Sequence, residues 1–178
     1  NNSDLQQYLL NTDKEIYYGA IKDYEGESYN VLINTHNSTI YAKRHLVPLG
    51  EYVPTFLSDL LPIFNDINLG NDLSHGKGSN LFDNGMFIIA GIICFEDIYP
   101  SLVSKSVRDG AELIYVASND GWFNVNEMYQ HKLHALLRRA ENRRRIVRVG
   151  NTGLTFITNT WGEVCDSLKP LEAGTLTG

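Results

Sequence analysis

Met86-Phe87-Ile88-Ile89-Ala90-Gly91-Ile92-Ile93-Cys94 is the longest apolar run of the chain, and it closes on Glu96. A short, Ile-rich run without polar alternation describes a strand covered on both faces, and so a central strand of a sheet. From Tyr99 to Asp109 the pattern is helical and ends at Gly110. Glu112 to Ala117 is then a second apolar strand, running into Ser118-Asn119-Asp120-Gly121. Strand, helix, strand in that order is a βαβ unit, with parallel neighbours and a right-handed crossover.

Downstream, Met128, Leu133, Leu136, Leu137 and Ala140 recur at helical spacing. They predict an amphipathic helix of about five turns. Ile146 to Val149 and Thr155 to Asn159 return as strands, with a turn at Trp161-Gly162. Upstream, Glu15 to Lys22, Tyr29 to Asn34 and Thr39 to Lys43 are rich in Tyr, Ile and Val and read as an antiparallel meander. Ser3-Asp4-Leu5-Gln6 has capping-box spacing and predicts a short helix to about Leu10. Pro48 to Asn84, punctuated by Pro, Gly, Asn and Asp, reads as a long functional loop with a short helix over Phe56 to Phe64.

With 178 residues, 43% of them hydrophobic, the chain suffices for one domain with a substantial core. Its net charge of -6 repels phosphate backbones, so nucleic acid is not an expected partner. No stretch approaches the roughly 20 apolar residues of a membrane-crossing helix. The opening Asn1-Asn2-Ser3-Asp4 has neither an initiator Met nor the basic and apolar regions of a signal peptide, which predicts an excised piece of a longer protein. Two cysteines, Cys94 and Cys165, allow at most one internal disulfide.

Cys94 is expected where a buried strand stops and a helix is about to begin, the position at which open α/β sheets expose reactive groups. Taken alone, such a cysteine is more often a small core hydrophobe. Lys43-Arg44-His45 ends a strand and enters a loop, fixed by Pro48, Gly50 and Pro54, that also carries Glu51; taken alone such a charge cluster is more often a solvated strand end, and it becomes specific only when joined to the other segments. A thiol attacks a carbonyl as thiolate, and a neighbouring ammonium favours that form and the oxyanion that follows. Cys94 rather than Cys165 is therefore the expected reactive thiol. His36, His45, His75, His131 and His134 show no ligand spacing beyond a weak His131-x-x-His134, so no metal is expected, and no cofactor. The run Arg138-Arg139 through Arg143-Arg144-Arg145 reads first as a helix C-terminal cation cluster pairing with Glu141, and second as a patch for anionic lipid.

Several segments occur in the order of one family: Lys43-x-His45-Leu46-Val47-Pro48-x-Gly50-Glu51-Tyr52-Val53-Pro54, Ile93-Cys94-Phe95-Glu96-Asp97-Ile98-Tyr99-Pro100 and Ser118-Asn119-Asp120-Gly121-Trp122-Phe123. Gln130-His131, Arg138 with Glu141, and Asn151-Thr152-Gly153 follow in the same order. From about Ile16 to Val164 the chain resembles the carbon-nitrogen hydrolase (nitrilase) superfamily, and within it the apolipoprotein N-acyltransferase branch. The resemblance implies a four-layer αββα sandwich, N-terminally truncated here, with residues 1–178 a carbon-nitrogen hydrolase domain that lacks its first strand and a membrane-spanning part. It implies Cys94 as nucleophile, Lys43 as the lysine of a Glu-Lys-Cys triad, Glu51 as a second essential acid, and Glu96, Trp122 and Asn119 as supports or substrate contacts. The implied reaction moves a fatty acyl chain from a phospholipid to the amine of a lipoprotein's N-terminal cysteine through a thioester, at the periplasmic face of the bacterial inner membrane. The loop from Pro48 to Asn84 would then be a lid for the lipid tail. The alternatives are a soluble amidase of the same superfamily and a non-catalytic domain of the same fold. The triad Glu is expected in a Pro-Glu segment upstream, which predicts that the chain alone is inactive. Phe95 stands where that branch typically has Tyr, and Arg139 where Ala is usual.

Overall fold

The computed structural model describes residues 14–54 and 72–178. The helix expected up to Leu10 and the one expected over Phe56 to Phe64 lie outside these residues.

The meander forms as β1 (Tyr17–Tyr24), β2 (Glu27–Asn34) and β3 (Ile40–Ala42), a three-stranded antiparallel sheet in that order. A second sheet has six strands in sequence order: β4 (Leu81–Asp83), β5 (Ile88–Ile93), β6 (Leu113–Ser118), β7 (Arg145–Gly150), β8 (Thr155–Thr158) and β9 (Val164–Leu168). The pairs β5-β6 and β6-β7 are parallel and the others antiparallel. The expected βαβ unit is therefore present, but β5 lies second from the edge, and β6 and β7 hold the middle. Strands β4 and β9 are additional: β4 lies in the segment read as loop, and β9 has three exposed residues in five and no apolar run to signal it.

Two helices cover one face of the large sheet. Helix α1 (Pro100–Arg108) starts one residue later than expected, because Cys94–Ile98 first forms a 3-10 turn and Pro100, with no N–H to leave unsatisfied, opens the helix. Helix α2 (Val125–Asn142) is opened by a capping box in which Asn124 Oδ1 accepts from the Glu127 amide at 3.1 Å and Glu127 Oε2 from the Asn124 amide at 2.9 Å.

Strand alternation divides the core in two. Ile92, Ile114, Val116, Ile146 and Phe156 point to the helices and meet Leu102, Val103 and Ala135. Ile89 and Ile93 point the other way and pack with Phe82 against Leu32 and Tyr41 of the small sheet. The described residues thus supply helix, sheet and sheet as three successive layers. No helix among them is long and apolar enough to cross a membrane.

Candidate active site

Lys43 follows the last residue of β3, where its amide donates to the Asn30 carbonyl at 2.8 Å and its carbonyl accepts from Gly76 at 2.7 Å. A Cβ on residue 76 would lie 2.0 Å from the Ala42 oxygen, so the approach that pins this strand end requires glycine. The Lys43 side chain is buried, and its Nζ donates to Glu51 Oε2 at 2.7 Å. The turn through Pro48, Leu49 and Gly50, closed by the Gly50 and Glu51 amides on the Val47 carbonyl, folds Glu51 back onto the lysine. Glu51 also accepts from the Val47 amide at 2.8 Å and from Asn30 Nδ2 at 3.0 Å. Buried ions are tolerated when paired and hydrogen-bonded, and these three donors meet that condition.

Cys94 sits immediately after β5 with φ of +49°, the left-handed region that side chains rarely enter. Strain at a strand-to-helix turn turns the thiol out at the C-terminal end of the sheet. Glu96, fully buried, holds this turn against the segment that carries Lys43. Its Oε1 accepts from Tyr41 Oη at 2.7 Å, the Arg44 amide at 2.8 Å and the His45 amide at 3.1 Å, and its Oε2 from the Ile93 amide at 3.1 Å. Burial, and then the Glu96 carboxylate, hold the Tyr41 hydroxyl far above its ordinary pKa. Burial likewise pushes the Cys94 thiol up, and outweighs Lys43 and a hydrogen bond with Ser118, which pull it down. Lys43 favours the thiolate, as the sequence suggests, but desolvation has the larger effect, while Cys165 is exposed on β9.

Cys94, Lys43, Glu51, Asn119 and Trp122 line one cavity of about 740 Å³. Its walls are largely apolar, with Tyr17, Ile93, Tyr115, Phe123 and Val149 among them. Trp122 is 65% exposed at this cavity, a wall position rather than a core one. Asn119 Oδ1 accepts from Asn151 Nδ2 at 2.8 Å and joins the loops that follow β6 and β7. Glu96 does not line the cavity; it stands behind it. Residues 55–71 of the expected lid are outside the described structure. Beyond them, the Leu73 amide donates to the Glu51 carbonyl and the Ser74 amide to the Ser28 carbonyl, each at 2.8 Å.

Behind the thiol lies a cluster that the sequence did not reveal. Arg148 of β7 is fully buried and donates to Asp97 Oδ2 at 3.0 Å and to both Asp120 oxygens at 3.1 and 2.9 Å. His131 Nδ1 of α2 lies 3.1 Å from the guanidinium and 3.2 Å from Asp120. Burial alone would raise the Asp120 pKa, but His131, Arg148 and Ser118 together pull it down to about 2. Asp97 is shifted upward, since burial there outweighs Arg148. The one signal in the sequence was Arg148 at the position two after Ile146, a charge in the inward register of its strand.

Cys94, Asp120 and His131 bring one ligand atom each within 4.8 Å of one another, as a metal would need. Arg148 contacts two of the three, so an added cation would meet a buried guanidinium. This donor set does not suit a metal. Four arginines of the 138–145 run bind carbonyl groups: Arg138 those of Asp97 and Ile98, Arg139 that of Thr160, Arg144 that of Ala111 and Arg145 that of Thr158. Arg138 also pairs with Glu141 at 2.8 Å, as expected.

Residues 15–178 match the family model for carbon-nitrogen hydrolase, and the chain belongs to the carbon-nitrogen hydrolase family. Among curated relatives it is 38% identical over 138 residues to the apolipoprotein N-acyltransferase of Geobacter metallireducens, covering 76% of this chain and 26% of that one. It is 32% identical over 201 residues to the protein of the same name from Shewanella oneidensis, covering 98% and 38%. The chain thus spans about a quarter to two fifths of the length of these relatives. Among solved structures, glutamine-dependent NAD+ synthetase from Acinetobacter baumannii superposes with a TM-score of 0.72 at 16% identity, over 97% of this chain and 32% of that one. Saccharomyces cerevisiae Nit3, of the nitrilase superfamily, does so with a TM-score of 0.69 at 17% identity, over 96% and 61%. These likenesses establish the nitrilase-type fold.

Proposed function

We propose that the chain carries the acyl-transfer site of an N-acyltransferase, which moves a fatty acyl chain from a phospholipid to the N-terminal cysteine amine of a lipoprotein. The observation that carries this reading is the opening of Cys94 and the buried Lys43–Glu51 pair onto one largely apolar cavity. Its volume is in the ~300–1,000 Å³ range of small-molecule sites, and its apolar walls suit an acyl chain better than a polar amide. The names of the relatives support the same direction.

On this reading the Cys94 proton passes to the Lys43–Glu51 pair, where the Glu51 carboxylate holds it. The thiolate attacks the ester carbonyl, and the Lys43 ammonium stabilises the oxyanion. Collapse expels the lysophospholipid alkoxide, which takes the proton from Glu51 and leaves a thioester on Cys94. In the second half the amine attacks the thioester, Glu51 receives the amine's proton, and the departing thiolate takes it back. Trp122 and Asn119 contact the substrate, Glu96 positions both reacting segments, and the site works at the periplasmic face of the bacterial inner membrane.

The test is intact-mass analysis after incubation with phospholipid vesicles, followed by addition of a peptide with a free N-terminal cysteine. A hydroxylamine-labile acyl adduct on Cys94 that discharges to the peptide amine is expected. Discharge to water as free fatty acid would favour the amidase reading; an adduct only in a chain extended upstream through the Pro-Glu segment would put the proton-accepting carboxylate there rather than at Glu51, and no adduct on Cys94 in either form would overturn the proposal.

A further inference from the structure

We propose that Ser118 is a positioning residue for the Cys94 thiol, coupling it to the buried Asp120–Arg148–His131 cluster by switching its single hydroxyl hydrogen between Asp120 and the sulfur. This rests on the reading of Cys94 as nucleophile and adds a residue and a device to it.

The placement follows from strand register. Ile93 of β5 is paired with Ala117 of β6 in a parallel ladder, so the next residues, Cys94 and Ser118, lie side by side at the C-terminal ends of the two strands. Both reach the cavity. Ser118 Oγ donates to Asp120 Oδ1 at 2.5 Å, and the Ser118 hydroxyl beside the sulfur pulls the thiol's pKa down. The sulfur, a carboxylate oxygen of Asp120 and a ring nitrogen of His131 all lie within 4.8 Å of one another.

A hydroxyl has one hydrogen and two lone pairs. With its hydrogen on Asp120, Ser118 offers the neutral thiol an acceptor; with the hydrogen turned to sulfur, it donates to the thiolate. No proton changes owner in that rotation. Asp120 tolerates the loss because it is generously supplied: Arg148 contacts both its oxygens, and His131 lies 3.2 Å away. A lone serine beside a cysteine would have no such reservoir. The charged and titratable groups around the thiol are Lys43 after β3, Glu51 in the following loop, Asp120 after β6, His131 on α2, Arg148 on β7, and Asp97 beyond Arg148. The serine hydroxyl, with one hydrogen and two lone pairs, can serve both states of the sulfur.

The experiment uses the chain with Cys165→Ser, which leaves Cys94 as its single thiol. The pH dependence of Cys94 alkylation by iodoacetamide is compared for this protein, Ser118→Ala and Ser118→Thr. Ser118→Ala should move the inflection to higher pH and slow alkylation below it by about threefold or more, half a pKa unit being roughly that factor. Ser118→Thr, which keeps the hydroxyl, should restore the profile. An unchanged profile in Ser118→Ala, or a Thr variant as slow as the Ala variant, would overturn the proposal. If Ser118→Ala does not fold, the S–H infrared band of the single-thiol protein decides: a band displaced to lower frequency supports the acceptor hydroxyl, and a free-thiol band overturns it. Acyl-adduct formation in the same set separates the two readings. An adduct with an unmoved alkylation profile sinks Ser118 alone. Absence of an adduct in both this chain and its upstream-extended form sinks the acyl-transfer reading, while the profile still decides Ser118.

Discussion

Tyr41 and Glu96 are joined by a 2.7 Å hydrogen bond buried between the end of β3 and the turn after β5. With the Arg44, His45 and Ile93 amides on the same carboxylate, this contact fixes how far Lys43 stands from Cys94. Glu96→Gln replaces one accepting oxygen by an NH2 group that faces donors. It should lower stability by about 2–3 kcal/mol, the penalty for unsatisfied buried groups near a lost charge. A fall in the urea midpoint at constant m-value checks it, and an unchanged midpoint would refute the anchoring role.

Gly153 leaves room for the Asp120 carboxylate. A Cβ at residue 153 would lie 1.8 Å from Asp120 Oδ2, whereas one at Gly19 of β1 would have its nearest neighbour at 3.9 Å. Gly153→Ala should therefore destabilise by about 3 kcal/mol, as overpacked sites do, and Gly19→Ala should stay within about 0.5 kcal/mol. Thermal unfolding of the two variants side by side tests the difference.

Lys43→Met leaves Glu51 buried without its counter-ion. Breaking one partner of a buried pair costs about 3–5 kcal/mol, and the double variant Lys43→Met, Glu51→Gln should lose clearly less than the sum of the singles. A double-variant cycle by chemical denaturation measures this coupling. Additive losses would mean that the 2.7 Å contact contributes nothing to stability.

Acid should weaken the fold through Asp120. Its folded pKa is depressed to about 2 from an ordinary 3.8, so its stabilisation is present above the unfolded value and is lost as pH falls through about 2. The amount is about 2 kcal/mol. Asp97, shifted upward, acts in the opposite direction: it favours the fold at low pH and ceases to as pH rises. Urea midpoints between pH 4 and pH 2 should fall less steeply in Asp120→Asn than in the wild type. Equal slopes would contradict the ionised carboxylate.

Apolar patterning and turn residues are local properties, and what depends on them was legible in the sequence. Ile88 to Ile93 declared a covered strand, Gly110 ended a helix, and Cys94 fell at a strand's end because the apolar run stops there. The motif order from Lys43 to Gly153 likewise indicated the family before any contact was known. Other features arise between segments far apart in the chain. Strands β4 and β9 exist because β5 and β8 offer them an edge, not because Leu81–Asp83 or Val164–Leu168 carries a strand pattern. Glu51 became the partner of Lys43 through the fold of one turn, and Glu96 moved out of the cavity to bind backbone amides. Arg148, Asp97, Asp120 and His131 are separated by up to 51 residues, yet meet as buried side chains behind the thiol. The protonation state of Cys94 belongs to the same group: the sequence supplied an ammonium nearby, but burial, which only the packed structure sets, has the larger effect on the thiol.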